Sequence, residues 1–454
     1  MRRIILEPGE TFTNAHLKRT GAFNAEALSA ATAIVADVRQ RGDAALRELT
    51  ERFDGVRVED FRVSEDALAE AASRVDADVA RALRQAAEQI RDFHERQKQQ
   101  SWFFAREDGA LVGSKVEPLS SVGIYVPGGR ALYPSTVLMN ALPAAVAGVE
   151  RIVCVTPPAK DGTLDPAIVE ACRICGVTEI YTVGGAQAVA ALAYGTESIA
   201  PVDKITGPGN AYVAAAKKVV SGDVGIDMIA GPSEVCVVAD STADPSLVAI
   251  DLMAQAEHDP LAACYLVTFS EEYADAVERM VERHLSSSTR AEITSASLAD
   301  QGLVVVCADL PQALEAVNVI APEHLELHID HALDALGAVR NAGAIFLGAW
   351  TPEAVGDYVA GPNHTLPTGG TARFSSPLST DEFVKKSSVI QYSPAALARD
   401  ADAVMAIARH EGLWAHSMSV EMRKSLLDAG GASEAGAAGA SAGDGGRAKG
   451  GADA

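Results

Sequence analysis

The sequence contains little positive charge and few aromatic residues. It has 38 Lys and Arg against 61 Asp and Glu in 454 residues, a formal net charge of −23, and only 5% of its residues are aromatic. Because proteins that track nucleic-acid phosphates use clustered Lys and Arg, this balance argues against a broad nucleic-acid-binding surface. An anionic cofactor would have to be held locally, by backbone N–H groups or helix N-termini.

Long apolar runs and a conventional export signal are also missing. No stretch of about 20 uninterrupted apolar residues occurs, so we expect no membrane span. The N-terminal run M-R-R-I-I-L is interrupted by Glu7 and Pro8 and is too short for a secretory signal. We therefore predict a cytoplasmic protein whose partners include neither a membrane nor a nucleic acid.

Cysteine is scarce and scattered, with six residues in the chain. Cys154 and Cys236 lie inside apolar runs, which favours reduced, buried thiols over a disulfide framework. The pair Cys172 and Cys175 in C-R-I-C is compatible with a redox or zinc site, but no second such pair accompanies it. We expect this pair to belong to the core.

The dinucleotide fingerprint G-x-G-x-x-G is absent as well. The chain instead has glycine-rich turns in V-P-G-G-R at 126–130, V-G-G-A-Q at 183–187 and T-G-P-G-N at 206–210. Glycine at a strand end lets backbone N–H groups approach a phosphate closely. Each turn taken alone is more simply explained as structural, so both interpretations stay open.

The hydrophobic rhythm predicts the architecture. Amphipathic, alanine-rich runs predict helices from Asn24 to about Gln100, and from Ser121 short β-rich runs alternate with helical ones. A second such series begins after Gly231. The alternation is typical of βαβ units. We predict an α/β fold with two Rossmann-like, incompletely doubly wound units and mainly parallel sheets, plus an N-terminal segment and a C-terminal helical arm.

Candidate metal ligands occur in three polar motifs. Gln255 and His258 occur in M-A-Q-A-E-H-D-P. Asp357 and His364 occur in G-D-Y-V-A-G-P-N-H, and Glu411 and His416 occur in E-G-L-W-A-H. The first two are three residues apart and would share a helix face. Imidazole and carboxylate suit zinc, although a glutamine amide is a poor zinc ligand and each histidine is also explicable as an ordinary polar residue.

The stretch A-P-E-H-L-E-L-H places Glu323 and His324 side by side. Neighbouring side chains on a regular strand face opposite sides, so adjacency alone rarely builds a shared pocket. We expect Pro322 to hold Ala321 in extended geometry and the pair to lie at the mouth of a strand, where alternation need not hold. His328 is expected to be an ordinary strand residue.

These motifs together resemble the histidinol dehydrogenase family over nearly the whole chain, from roughly Arg3 to Leu427. The resemblance rests on V-G-I-Y-V-P-G-G, G-G-A-Q-A, G-P-G-N-A-Y-V, D-M-I-A-G-P-S-E-V, Q-A-E-H-D-P, A-P-E-H-L-E, V-G-D-Y-V-A-G-P-N-H-T-L-P-T-G-G-T-A-R-F-S-S-P-L-S and E-G-L-W-A-H-S-M-S-V.

The resemblance implies an NAD-dependent dehydrogenase acting on the CH–OH group of L-histidinol. The product would be L-histidine, formed through L-histidinaldehyde with two NAD per turnover in the last two steps of histidine biosynthesis. It also implies one Zn²⁺ per subunit, held by Gln255, His258, Asp357 and His416. The family is a homodimer in which the C-terminal arm crosses over, so that His416 and Glu411 would complete the other subunit's site.

The resemblance further implies roles for individual residues. Zinc would bind the imidazole and amino nitrogens of histidinol, His324 would accept a proton in both oxidation steps, and Glu323 would activate the water that hydrates the aldehyde. The implied NAD contacts are Tyr125, Gln187 and Asn210. The implied substrate contacts are Ser233, Gln255, His258, His324, Asp357, His364, Glu411 and His416.

We accordingly expect five segments along the chain. They are an N-terminal segment (1–24), a catalytic Rossmann-like domain (25–119 together with 233–377), an NAD-binding Rossmann-like domain (120–232), a helical dimerisation arm (378–428) and a disordered Gly/Ala-rich tail (429–454).

Three other functions fit parts of this pattern. A related zinc and NAD dehydrogenase could act on another small polar alcohol, such as a sulfonated propanediol, but His364 and Glu411 suit the imidazole and amine of histidinol. A zinc hydrolase with Glu323 as its base would need neither the Q-A-E-H face nor the glycine-rich turns. A non-enzymatic binding protein would not need the pair Glu323 and His324.

Overall fold

The computed structural model of the chain describes residues 1–128 and 133–429. The chain forms two compact units, one containing residues 1–99 and 118–385 and the other containing residues 100–117 and the chain from Lys386 onward. Gly129 and Arg130 of the predicted turn at 126–130, and the predicted tail beyond Ala429, lie outside the described residues.

Fourteen strands are defined among the described residues. They are β1 (Arg2–Ile5), β2 (Trp102–Ala105), β3 (Leu111–Pro118), β4 (Ser121–Tyr125), β5 (Arg151–Thr156), β6 (Glu179–Thr182), β7 (Lys204–Thr206), β8 (Gly225–Ile226), β9 (Glu234–Ala239), β10 (Ala263–Thr268), β11 (Leu303–Val306), β12 (His324–His328), β13 (Ala344–Leu347) and β14 (Val384–Gln391).

Fifteen α-helices are defined in the same part of the chain. They are α1 (Ala25–Arg41), α2 (Asp43–Asp54), α3 (Glu65–Ser73), α4 (Ala77–Glu95), α5 (Pro134–Ala147), α6 (Pro166–Cys175), α7 (Gly185–Tyr194), α8 (Ala211–Val220), α9 (Pro245–Ala256), α10 (Glu271–Leu285), α11 (Ala291–Asp300), α12 (Leu310–Ile320), α13 (Glu353–Tyr358), α14 (Pro394–His410) and α15 (Trp414–Asp428).

The first unit contains two parallel sheets with the same strand order. One has five strands in the order β6-β5-β4-β7-β8, and the other has six in the order β1-β11-β10-β9-β12-β13. Counted from β4 in the first sheet and from β9 in the second, both follow 3-2-1-4-5, with β1 added beside β11. This repeated order confirms the predicted α/β fold of two Rossmann-like units with mainly parallel sheets.

Strand composition follows from burial. Every residue of β9 and β10 is buried, which explains their nearly continuous apolar runs, since a parallel strand is covered on both faces. The strand β1 pairs in parallel with β11 but was not predicted. Its sequence R-R-I-I is too short, and too charged at its start, to show a strand pattern.

The helices α1 to α4 confirm the prediction that residues 24 to 100 are mainly helical. They pack against the five-stranded sheet: Val35 of α1 shares a core with Val155 of β5, and Ile90 of α4 shares another with Ile124 of β4. The predicted domain boundaries stay a prediction.

All six cysteines are free and buried, as expected from their apolar surroundings. No helix in the described part of the chain is long and apolar enough to cross a membrane.

The second unit combines a small sheet with the C-terminal helices. Its strand order is β14-β3-β2, and β2 pairs antiparallel with β3. Helices α14 and α15 are joined by ion pairs, as between Arg409 and Glu421, whose Nη2 and Oε2 atoms are 2.9 Å apart. The predicted helical region was correct, but β14 precedes these helices and was not foreseen because V-K-K-S-S-V-I-Q has few apolar residues.

A buried ion pair holds the turn that follows β7. Gly207 has φ +110°, and a side chain there would meet the carbonyl oxygen of Tyr125. The N–H of Gly207 donates to Asp227 Oδ2 at 2.8 Å, and its carbonyl accepts from Lys217 Nζ at 3.1 Å. Lys217 and Asp227, both almost fully buried, also pair with each other. The N–H and the carbonyl of Gly207 are therefore held by the two members of this ion pair, which fixes the T-G-P-G-N turn.

We predict that Lys217→Met lowers the free energy of unfolding by about 3–5 kcal/mol, because it leaves Asp227 as an uncompensated buried charge. Urea unfolding of the purified chain measures this change. The matched control is Lys218→Met on the next position of α8, which is exposed and should change the midpoint little. Equal midpoints for the two variants would contradict the role of the ion pair.

Candidate active site

The turn into β12 differs from the sequence expectation. Ala321 is not extended: it has φ 48° and ψ 60°, in the left-handed region, and its N–H donates to Val317 O at 2.7 Å. A residue in this conformation commonly ends a helix, and here only three residues, 321–323, connect α12 to β12. A residue before proline prefers extended geometry, but at Ala321 the left-handed conformation that ends α12 outweighs this preference. The prediction that Glu323 and His324 lie at the mouth of the strand is correct, since β12 begins at His324.

The backbone of Glu234 holds both neighbouring side chains. Its N–H donates to Glu323 Oε2 at 2.9 Å, and its carbonyl oxygen lies 3.1 Å from His324 Nδ1. This is possible because β9 and β12 are adjacent parallel strands in which His324 is paired with Val235. Glu323 and His324 thus converge on one residue of the next strand although their positions are consecutive.

The bond to Glu234 determines how His324 presents its ring. A carbonyl oxygen can only accept, so Nδ1 carries a proton and the neutral ring leaves its lone pair on Nε2. Nε2 has no hydrogen-bond partner among the described residues, and Asp357 Oδ1 lies 3.5 Å away. His324 therefore has a buried nitrogen positioned to accept a proton.

A group of metal-ligand type lies beside this pair. Ligand atoms of His258, Glu353 and Asp357 are all within 4.8 Å of one another. His258 follows the end of α9, and the two acids are four residues apart on α13, so they share a helix face. The buried Gln255, in the last turn of α9, has its amide against the Glu353 carboxylate. The predicted Gln255, His258 and Asp357 are thus brought together.

Glu353 was missed by sequence reasoning. It is 3% exposed, and its Oε2 lies 4.0 Å from His324 Nδ1. The usable signal was its spacing from Asp357 in P-E-A-V-G-D, which places both on one face of a helix.

Burial and like charge dominate the electrostatics of this site. Burial raises the pKa of Glu323 to about 8 and that of Glu353 above its usual range, against the opposing effect of His324. Burial disfavours the charged His324 ring, but Glu353 and Glu323 outweigh it and raise its pKa. Burial lowers the pKa of His258, which favours the neutral imidazole that a metal needs. An excess of buried carboxylate around a neutral imidazole fits a divalent cation.

The remaining predicted substrate contacts fall in different places. Ser233 directly precedes β9, and its carbonyl accepts from Ala263 N at 2.9 Å. The Nδ1 atom of His364 lies 3.0 Å from the carbonyl oxygen of Asp357. Glu411 and His416 belong to the second unit, where Glu411 caps the end of α14 and His416 lies near the start of α15, both exposed.

The predicted NAD contacts lie past the carboxyl ends of three strands in the five-stranded sheet. Tyr125 is the last residue of β4, and its hydroxyl accepts from Gly185 N at 3.1 Å. Gln187 lies in the first turn of α7, after β6, and Asn210 caps α8, after β7. Strand order reverses between β4 and β7, and ligands bind at such a switch point in open α/β sheets.

A second buried polar group lies further along β12. Asp251, Glu326 and His328 have ligand-type atoms within 4.8 Å of one another, and all three residues are buried. His328 is a strand residue, as expected, and its ring lies against the Glu326 carboxylate. Sequence reasoning missed the group because Asp251 comes from α9, distant in sequence.

Comparison with known proteins decides the family. The sequence model described as histidinol dehydrogenase matches residues 17–424. The chain belongs to the histidinol dehydrogenase family. The resemblance seen in the motifs is thereby confirmed.

Individual relatives agree with this assignment. The histidinol dehydrogenase of Geobacillus kaustophilus (strain HTA426) is 56% identical over 390 residues, which cover 86% of this chain and 92% of that protein. The Bacillus subtilis (strain 168) histidinol dehydrogenase is 54% identical over 391 residues, with the same two shares. The crystal structure of histidinol dehydrogenase from Elizabethkingia anophelis superposes with a TM-score of 0.90 at 36% identity, covering 94% of this chain and 99% of that chain.

Proposed function

We propose that the chain oxidises L-histidinol to L-histidine through L-histidinaldehyde, using NAD and zinc. The observation that carries the proposal, in a member of the histidinol dehydrogenase family, is the placement of His324 beside Asp357 of the metal-type group, with Glu323 3.8 Å from the His324 ring. Two side chains that can accept protons, next to a group of cation-ligand type, are what oxidation of an alcohol followed by hydration of an aldehyde requires.

Zinc would be held by Gln255, His258, Asp357 and the other subunit's copy of His416. Bound there, zinc would position and polarise the substrate and would offset the negative charge that raises the pKa of His324. The lowered pKa of His258 supports its role as a neutral ligand. Ser233, His364 and Glu411 would complete the substrate contacts.

The cofactor would lie at the switch point of the five-stranded sheet, against Tyr125, Gln187 and Asn210. NAD supplies the acceptor for hydride. The domain at 120–232 would be the NAD-binding domain and residues 25–119 with 233–377 the catalytic one. The turn fixed by Lys217 and Asp227 keeps the backbone before Asn210 in place, which supports a preformed cofactor site.

The catalytic steps divide between two side chains. His324 Nε2 accepts the hydroxyl proton as the alcohol is oxidised, because Nδ1 is already committed to Glu234. Glu323 takes a proton from the water that adds to the aldehyde, and burial, which raises the pKa of Glu323 to about 8, makes its ionised form a stronger base than an exposed carboxylate. After releasing the first proton to solvent, His324 accepts the proton of the hydrated aldehyde in the second oxidation, for which a second NAD would accept the hydride.

A homodimer completed by the C-terminal arm, residues 378–428, is part of the proposal. The second unit leaves large apolar side chains exposed, including Ile407, Trp414 and Leu426. Exposed apolar surface of this kind marks protein interfaces. A cytoplasmic location is proposed with the rest of the function.

The ratio of NADH formed to histidinol consumed tests the function most directly. We expect a ratio of two, because both oxidations occur before product leaves. Absorbance of NADH with quantified histidinol gives the number. A ratio of one would indicate an ordinary alcohol dehydrogenase, and no NADH would overturn the proposal.

Replacing Glu323 by Gln should separate the two half-reactions. Oxidation of supplied histidinaldehyde should fall by about 10²-fold or more, because the general base for hydration is lost, while oxidation of histidinol to the aldehyde should fall less. Rates of NADH formation from each substrate measure this. Glu315→Gln, an exposed acid on α12, is the matched control. Equal losses in both half-reactions would contradict the division of roles.

Metal removal should abolish turnover. Dialysis against a chelator should leave an inactive chain that regains activity with added Zn²⁺, whereas His258→Ala should stay inactive after the same addition because a ligand is missing. Zinc content measured beside activity ties the two together. Full activity in metal-free protein would rule out a catalytic metal.

A further inference from the structure

The helix that carries Glu353 and Asp357 has no capping side chain of its own. The helix α13 has six residues, and Pro352, which precedes it, makes no side-chain hydrogen bond. The N–H of Glu353 donates instead to Glu326 Oε1 of β12, at 2.7 Å. A carboxylate from the sheet therefore fixes the start of this helix.

Glu326 is well placed to connect the helix with the catalytic strand. It is two residues after His324, so the two side chains project from the same face of β12. It is 0% exposed. A carboxylate so completely buried is costly unless hydrogen-bonded, and its bond to α13, at 2.7 Å, is shorter than the 3.2 Å contact with His328.

The second oxygen of Glu326 is supported by the buried polar group described above. Glu326 Oε2 lies 3.2 Å from His328 Nε2, and Asp251 Oδ2 lies 3.6 Å from the same nitrogen. Asp251 is one helical turn before Gln255 on α9. The group thus joins β12, α13 and α9, the three elements that surround the metal-type donors.

The effect of Glu326 extends through Glu353 to Gln255. Only one orientation of the Gln255 amide satisfies its neighbours: its nitrogen donates to both oxygens of Glu353, with Oε2 at 3.1 Å, and its oxygen accepts from Glu234 N at 2.9 Å. A shift of Glu353 would remove the acceptor that orients this amide. An amide is a weak ligand, so its orientation by a carboxylate matters more than it would for an imidazole.

We propose that Glu326 is a positioning residue for the metal site, supported by His328 and Asp251. It holds the start of α13 so that Asp357 faces His324 and Glu353 orients Gln255. The inference rests on the proposed function, because it concerns the residues that would bind zinc. Glu326 touches neither metal nor substrate in this role.

Zinc affinity, measured by competition with a chromophoric chelator on the full chain, tests the proposal. Glu326→Met keeps the side-chain volume but removes the acceptor, and should weaken zinc binding by about 10–100-fold. Glu326→Gln retains an acceptor oxygen for the N–H of Glu353, so its zinc affinity should stay within about threefold of wild type. This loss is smaller than is usual when a hydrogen-bond partner of a metal ligand is removed. Zinc affinity of the wild-type level in Glu326→Met would overturn the proposal.

A matched control separates positioning from general stability. Leu327→Ala is on the same strand, faces the opposite side of the sheet and removes a fully buried core side chain, so it should destabilise the chain. Its zinc affinity, measured well below its unfolding temperature, should stay near wild type. A loss equal to that of Glu326→Met would overturn the positioning role.

Two further measurements keep the test decisive. If Glu326→Met does not fold, Glu326→Asp replaces it, because aspartate keeps the charge but withdraws the oxygens by one methylene and should also weaken zinc binding. If the wild-type chain binds zinc and forms NADH from histidinol while the Glu326 variants keep wild-type zinc affinity, only the role of Glu326 is rejected. Wild-type chain that binds no zinc rejects the metal site and this inference together.

Discussion

The structure is arranged around the cost of burying acidic side chains. Glu234, Glu323, Glu326 and Glu353 are each at most 6% exposed, and few basic side chains lie near them. A carboxylate removed from water must find hydrogen-bond donors or a cation. The chain supplies them from main-chain N–H groups, as at Glu353 and Gly369, from histidine rings, and from Arg19, whose guanidinium is 3.8 Å from Glu234. The elements that surround the active site are positioned by these compensations.

The two sheets share one strand order but carry their candidate site residues at opposite ends of their strands. In the five-stranded sheet the proposed cofactor residues lie at the carboxyl ends of strands, beside the switch point, as in other open α/β sheets. In the six-stranded sheet Glu323 and His324 lie at the amino end of β12, opposite the start of β9. The segment from Asn363 to Gly369 makes a hydrogen bond at each end. Asn363 donates to Met139 O of α5, and Gly369 donates to Glu234 of β9. One segment of chain therefore contacts both α5, beside the five-stranded sheet, and β9 of the six-stranded sheet.

Sequence reasoning succeeded where a function depends on local pattern. The alternation of strands and helices indicated the two parallel sheets, and the motifs around His258, His324 and Asp357 indicated residues that the fold brings together. It failed where the decisive partner is distant in sequence. Glu353 and Glu326 become meaningful only when α13 is seen against β12, and Ala321 adopts a conformation that the next residue disfavours because α12 must end there. Strands β1 and β14 were missed because their pairing partners, more than their own side chains, make them strands.

Glu234 holds Glu323 and His324 through its main chain, and this determines which mutations at position 234 can disturb them. Both bonds come from its main chain, so replacing its side chain with any residue other than proline leaves the N–H and the carbonyl in place. The alignment of Glu323 and His324 thus depends on the pairing of β9 with β12. A change of the Glu234 side chain therefore acts on Arg19 and Gly369, which contact its carboxylate, while the main-chain bonds to Glu323 and His324 are retained.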